Sequence, residues 1–211
     1  LKYYPAYLDL SGKRCCVVGG GGVGERKTLT LLKAGANITV ISPELTDTLD
    51  VLKKQHKFIH IEKTYETGDV KDCFLVIAAT SDEEVNEKVA KDAPALVNVV
   101  NIPAMSNFIV PSSVSRGDLI LSVSTSGVSP ALSKSIRKEL EELYPETIAD
   151  YLNLLKTLRN KIQSLNIDRD RREDFLKKAA DKDTLPSIRQ GCLDEIMERL
   201  NAAFDALINE V

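Results

Sequence analysis

The sequence has no tryptophan and only 5% aromatic residues, so it lacks the ring surfaces on which proteins stack the bases of single-stranded nucleic acid. Its 28 basic and 31 acidic residues leave a net charge of -3 and are mixed along the chain. No basic stripe makes a nucleic acid the expected partner. Long hydrophobic runs are missing as well. No apolar stretch approaches the roughly 20 residues that span a bilayer, and the opening LKYYPAYLDLSGK has neither the charged nor the apolar region of a secretory signal. A cytoplasmic chain without membrane contacts is expected.

Histidine and cysteine are scarce too. The two histidines, His56 and His60, straddle an expected helix-to-strand turn, so they share no helix face and are expected to be solvated rather than metal-binding. The four cysteines, Cys15, Cys16, Cys73 and Cys192, show no CxxC or clustered Cys/His spacing, and no metal site is expected from them. Three of them lie in the apolar runs RCCVVGG and CFLVIAAT, which suits reduced thiols in a core. No G-x-S-x-G or other nucleophile motif supports Ser-His-Asp chemistry.

With 211 residues, 43% of them hydrophobic, the chain has enough apolar surface for one sizeable core and a smaller second unit. Between residues 14 and 100, short β-branched runs alternate with segments of helical period, the pattern of a parallel sheet with crossover helices. The spacing predicts strands over 14–18, 37–41, 58–61, 73–78 and 95–100, and helices over 22–33, 45–55 and 83–91. None of the strand runs alternates polar with apolar residues, as expected where both faces are covered. Ser81 or Asp82 is expected to cap the third helix. Beyond Val100 come two further strands, over 112–115 and 119–124, joined by Arg116-Gly117-Asp118, and a helix opening at Ser129-Pro130. The remainder carries only helical periodicity. The expected fold class is α/β: a Rossmann-type parallel sheet domain over 1–111, a small α+β segment over 112–145 and a helical domain over 146–211.

The segment CCVVGGGGVGERK is the most informative. Gly19, Gly21 and Gly24 satisfy G-x-G-x-x-G directly after a strand and before a helix, the context in which the pattern marks dinucleotide binding. Gly19 permits the tight turn, Gly21 lets a pyrophosphate approach, and Gly24 lets helix pack on strand. The helix start offers amides and a positive dipole end to the phosphates. About twenty positions on stands Glu44, with no Arg or Lys beside it, which favours NAD over NADP. Alternatively, Glu44 only charges the first turn of the next helix.

Together with YYPAYLDLSGKRCCVVGGGGVGERK, the segments ITVISPEL, NVVNIPAMSNFIVPSSV and ILSVSTSGVSPALSKSIRKELE resemble the precorrin-2 dehydrogenase family, which includes the first module of multifunctional sirohaem synthases. The likeness runs from about Tyr4 to Leu143. It implies NAD-dependent oxidation of precorrin-2 to sirohydrochlorin, a homodimer joined through the 112–145 segment, and in some members ferrochelatase activity. It also implies cofactor contacts at Gly22, Val23, Pro43 and Glu44, and an active-site position at Thr125.

One departure stands out: the family's NVVD reads Asn98-Val99-Val100-Asn101. An amide has no useful basicity and is a weak metal ligand. Asn101 is therefore expected to orient substrate, and iron insertion is the activity most affected. The tetrapyrrole substrate is a polycarboxylate, for which Ser124 and Thr125 at the helix start, with Arg116, Lys134 and Arg137, form a candidate cradle. The bland reading is a capped helix with a solvated basic face. A rival of another class, a non-catalytic NAD-sensing module, would need no tetrapyrrole site.

Overall fold

The computed structural model describes residues 2–100, 102–165 and 167–209, which form two compact units, Leu1–Val110 and Pro111–Val211. The first contains β1 (Arg14–Val18), α1 (Gly22–Lys33), β2 (Asn37–Ile41), α2 (Asp47–Lys54), β3 (Ile59–Ile61), β4 (Leu75–Ala78), α3 (Glu83–Asp92) and β5 (Leu96–Val99). All strand pairs are parallel, in the order β3-β2-β1-β4-β5. The chain therefore steps outward from β1 to β3 and then returns to the other side of β1, leaving a switch in direction between β1 and β4.

The central strands are apolar on both sides because both sides are covered. Successive side chains point to opposite faces: Cys15 and Val17 join Leu31, Val40 and Leu49 in one core, while Cys16 and Val18 join Val70, Val76 and Val89 in another. Val17, Val40, Leu49, Val70, Val76 and Val89 have no exposed surface, and burying each such side chain contributes roughly 1.5–3 kcal/mol. Side chains set the helix starts. Thr46 accepts the Leu49 N–H at 3.3 Å, so α2 opens later than its apolar pattern. Asp82, rather than Ser81, accepts the Glu84 and Val85 amides at 2.9 and 3.2 Å.

Two expectations need correction. β3 is not covered on both faces: Ile59 is 66% and Ile61 37% exposed. The chain between β3 and β4 is a loop with no helix to lie over that edge. The same loop shortens β4, because Cys73 N–H turns back to Val70 O at 3.0 Å. Nor is His60 solvated. Its Nε2 lies 2.9 Å from Ser42 O and its Nδ1 is buried without a partner, since alternation along β3 sends it away from the exposed isoleucines.

The second unit holds an antiparallel pair, β6 (Ser112–Arg116) and β7 (Leu119–Val123), followed by α4 (Pro130–Leu143), α5 (Ile148–Ser164), α6 (Arg169–Ala179), α7 (Thr184–Arg189) and α8 (Leu193–Asn209). Gly117, at φ +59, makes the hairpin turn. Ile148, Leu158, Ile162, Phe175, Ile196, Leu200 and Phe204 form its core, with Phe175 and Phe204 edge to face at 6.1 Å. Ile120 on β7 and Leu132 and Leu143 on α4 stay about half exposed. Among the described residues no helix is long and apolar enough to cross a membrane.

Candidate functional site

At the carboxyl ends of β1, β2 and β4, where the strand order reverses, lies a cavity of about 880 Å³. Open α/β sheets bind ligands at this kind of crevice. Gly19, Gly21, Gly22 and Val23 form one wall, Pro43 and Glu44 another. Gly24 sits behind the loop, where a Cβ would come 2.0 Å from Gly19 O. Gly19 has φ +114, a conformation that excludes most side chains, and a Cβ on it would meet Ala79 O at 2.5 Å. By contrast, a Cβ on Gly21 or Gly22 meets nothing within 4 Å. Their bareness keeps space open in the cavity rather than allowing the chain to pack.

The loop is fastened to the end of β2. Gly19 N–H donates to Ile41 O and Gly20 N–H to Ser42 Oγ, each at 2.9 Å. Gly20, which the glycine pattern leaves unspecified, is as confined as its neighbours, with a Cβ falling 2.2 Å from Glu44 O. Side chains cap α2, α3, α4 and α6, but none of those described caps α1. Its first amides and the positive end of its dipole belong to the cavity, the arrangement that receives a phosphate or pyrophosphate. The residues present thus fit a dinucleotide: an uncapped helix start, no Cβ in front of it, and a carboxylate at the end of the second strand. Glu44 is exposed and lies two residues before the α2 N-cap, Thr46, while Asp47 and Asp50 are the acids of that helix's first turn. Its carboxylate lines the cavity.

Two further walls escaped sequence reasoning. After β4, Thr80, Ser81 and Asp82 line the cavity, pinned by buried Asn86, whose amide donates to Thr80 O at 3.1 Å and accepts from Thr80 Oγ1 at 2.9 Å. After β3 come Lys63, Thr64 and Tyr65. Tyr65 Oη donates to Asp92 at 2.7 Å, and burial, aided by that carboxylate, pushes its phenol pKa up. The available signal was positional: these residues follow strands at the same end of the sheet as Gly19.

The remaining candidates lie in the second unit or outside the described residues. Arg116, 12% exposed, donates through Nε to Tyr144 O at 2.7 Å and through Nη2 to Glu141 O at 3.2 Å, and its Nη1 pairs with Glu146 at 2.9 Å. Arg137 pairs with Glu141, one turn on, and Lys134 is exposed. Thr125 Oγ1 accepts the Ser129 N–H at 3.0 Å and lies 3.1 Å from Ser133 Oγ. Ser124 Oγ accepts the Ser126 N–H at 3.0 Å, and Ser129 caps α4 through the Leu132 N–H at 3.2 Å. Local bonds thus organise this turn, with Lys134 extending from it. Asn101 lies outside the described residues.

A family model described as "Putative NAD(P)-binding" matches residues 6–112, and one described as "Sirohaem biosynthesis protein central" matches residues 116–143. A siroheme synthase of Nitrosococcus oceani is 34% identical over 208 residues, 97% of this chain and 44% of that protein. Another, of Methylobacillus flagellatus, is 42% identical over 150 residues, 70% of this chain and 32% of that protein. The chain spans less than half the length of these relatives. Among solved structures, SirC, a precorrin-2 dehydrogenase, superposes with a TM-score of 0.79 at 31% identity, over 93% of this chain and 100% of that one. On this likeness in sequence and fold, the chain belongs to the precorrin-2 dehydrogenase family.

Proposed function

We propose that this protein is an NAD-dependent oxidoreductase that converts precorrin-2 to sirohydrochlorin in sirohaem biosynthesis. The observation that carries the reading is the uncapped start of α1, faced by Gly21 and Gly22 in the cavity, in a chain that covers SirC, a precorrin-2 dehydrogenase, from end to end. The amides of Gly22 and Val23 would hold the pyrophosphate, Pro43 would border the adenosine side, and the Glu44 carboxylate would accept hydrogen bonds from the ribose hydroxyls. Among the described residues no unpaired cation lines the cavity with Glu44, which supports NAD rather than NADP as the cofactor. When bound, NAD supplies the acceptor for the hydride that leaves precorrin-2.

The protein's part is binding and orientation. Asn101 orients the macrocycle through its amide, the accompanying proton passing to solvent. The half-exposed Ile120, Leu132 and Leu143 form the apolar face of a homodimer contact. The test is anaerobic incubation of the purified chain with precorrin-2 and NAD. Reduced nicotinamide and sirohydrochlorin should appear together, in equal amounts. A folded chain that binds NAD yet leaves precorrin-2 unchanged would instead favour the sensing module.

A further inference from the structure

Lys63 is the one cation among the described residues lining the cavity. The pairing of Ile41 with Ile61 brings the ends of β2 and β3 side by side, so the segments carrying Glu44 and Lys63 leave adjacent strand ends and both line the cavity. An ammonium in that position is the group expected to pair with the 2′-phosphate of NADP. Instead, Lys63 Nζ donates to Glu66 Oε2 at 2.8 Å and to Asp69 Oδ1 at 2.9 Å.

The clamp is built rather than incidental. The Asp69 side chain is only 18% exposed. Its second oxygen accepts the Glu66 N–H at 2.9 Å, and the Asp69 N–H returns to Glu66 O at 3.2 Å. This closed turn aims both carboxylates at one ammonium. The two hydrogen bonds raise the Lys63 pKa, because they favour the charged form that they hold. Two carboxylates outweigh one ammonium, and Glu44 adds a further negative charge to the same side of the cavity.

On the reading of this cavity as the dinucleotide site, we propose that Glu66 and Asp69 withhold Lys63 from the cofactor's 2′ position and thereby set the preference for NAD over NADP. The test is calorimetric titration of the whole chain with NAD and with NADP. The unaltered chain binds NAD more tightly. In the double variant Glu66→Gln/Asp69→Asn, NADP affinity should rise about tenfold, the scale of one freed charge-assisted contact, with NAD affinity changing less than about threefold. Adding Lys63→Ala should abolish the gain. A double variant that binds NAD but shows no gain for NADP overturns the proposal, as does a gain that survives Lys63→Ala. If the double variant no longer binds NAD, Glu66→Gln alone, at a residue 73% exposed, is expected to give about a threefold gain for NADP, and no gain overturns the proposal. An unaltered chain that binds neither dinucleotide refutes the cavity assignment itself.

Discussion

Gly21→Ala separates cofactor binding from folding. Gly21 has φ −78 and ψ −177, backbone any residue adopts, and an added Cβ meets no protein atom within 4 Å. Folding should therefore change by less than about 1 kcal/mol: the stiffer unfolded chain favours the variant by about 0.4–1 kcal/mol, and the weaker N-cap removes about 0.5–1 kcal/mol. The methyl group projects into the space that the pyrophosphate needs. Losing one charge-assisted hydrogen bond there costs about 1.5–3 kcal/mol, about tenfold to a hundredfold in Kd for NAD. Gly24→Ala is the contrasting variant, since its Cβ would fall 2.0 Å from Gly19 O. The backbone must shift, at a cost of about 1–3 kcal/mol in stability. Titration calorimetry with NAD and urea unfolding on both variants give the comparison. Gly21→Ala with an unchanged Kd, or with a stability loss equal to that of Gly24→Ala, would refute the reasoning.

Arg116→Ala should lower stability in urea unfolding by about 1–3 kcal/mol, because the guanidinium satisfies otherwise enclosed carbonyls of Glu141 and Tyr144; an unchanged midpoint would show that these bonds add nothing net. Cys73 is the thiol expected to alkylate before Cys15 or Cys16 at neutral pH. A hydrogen bond from Cys16 and the charge of Arg14 lower its pKa, while burial pushes the Cys15 thiol up to about 11. Labelling should slow as pH falls through the lowered value, and peptide mapping that finds Cys15 or Cys16 labelled first contradicts this. Asn101→Asp restores the carboxylate of the family pattern and should raise ferrous-iron insertion into sirohydrochlorin above the uncatalysed rate. No increase would mean that the missing carboxylate is not limiting.

Local pattern made the first unit legible. β1 and β4 read as strands buried on both faces, and α1 begins and ends where glycines said it should, because each depends on residues a few positions apart. The exposed edge at β3 was hidden: it follows from a loop standing where a helix was possible, and no periodicity within Ile59–Ile61 reports what lies above it. Gly20 was missed for the same reason, since the atom that confines it belongs to Glu44, which tertiary structure brings close. Arg116 read as a candidate partner for substrate carboxylates, but its guanidinium is engaged by carbonyls that lie 25 and 28 residues further on. Lys63 was invisible as a lining residue until the β2–β3 pairing brought the ends of both strands to one cavity.

In the proposed function, backbone amides at the start of α1 grip a pyrophosphate. Amide chemical shifts of isotopically labelled protein, followed during addition of NAD, test this directly. The largest changes should fall on Gly20 to Val23, with Glu44 next. Saturation by NAD with shifts confined to other residues would contradict it.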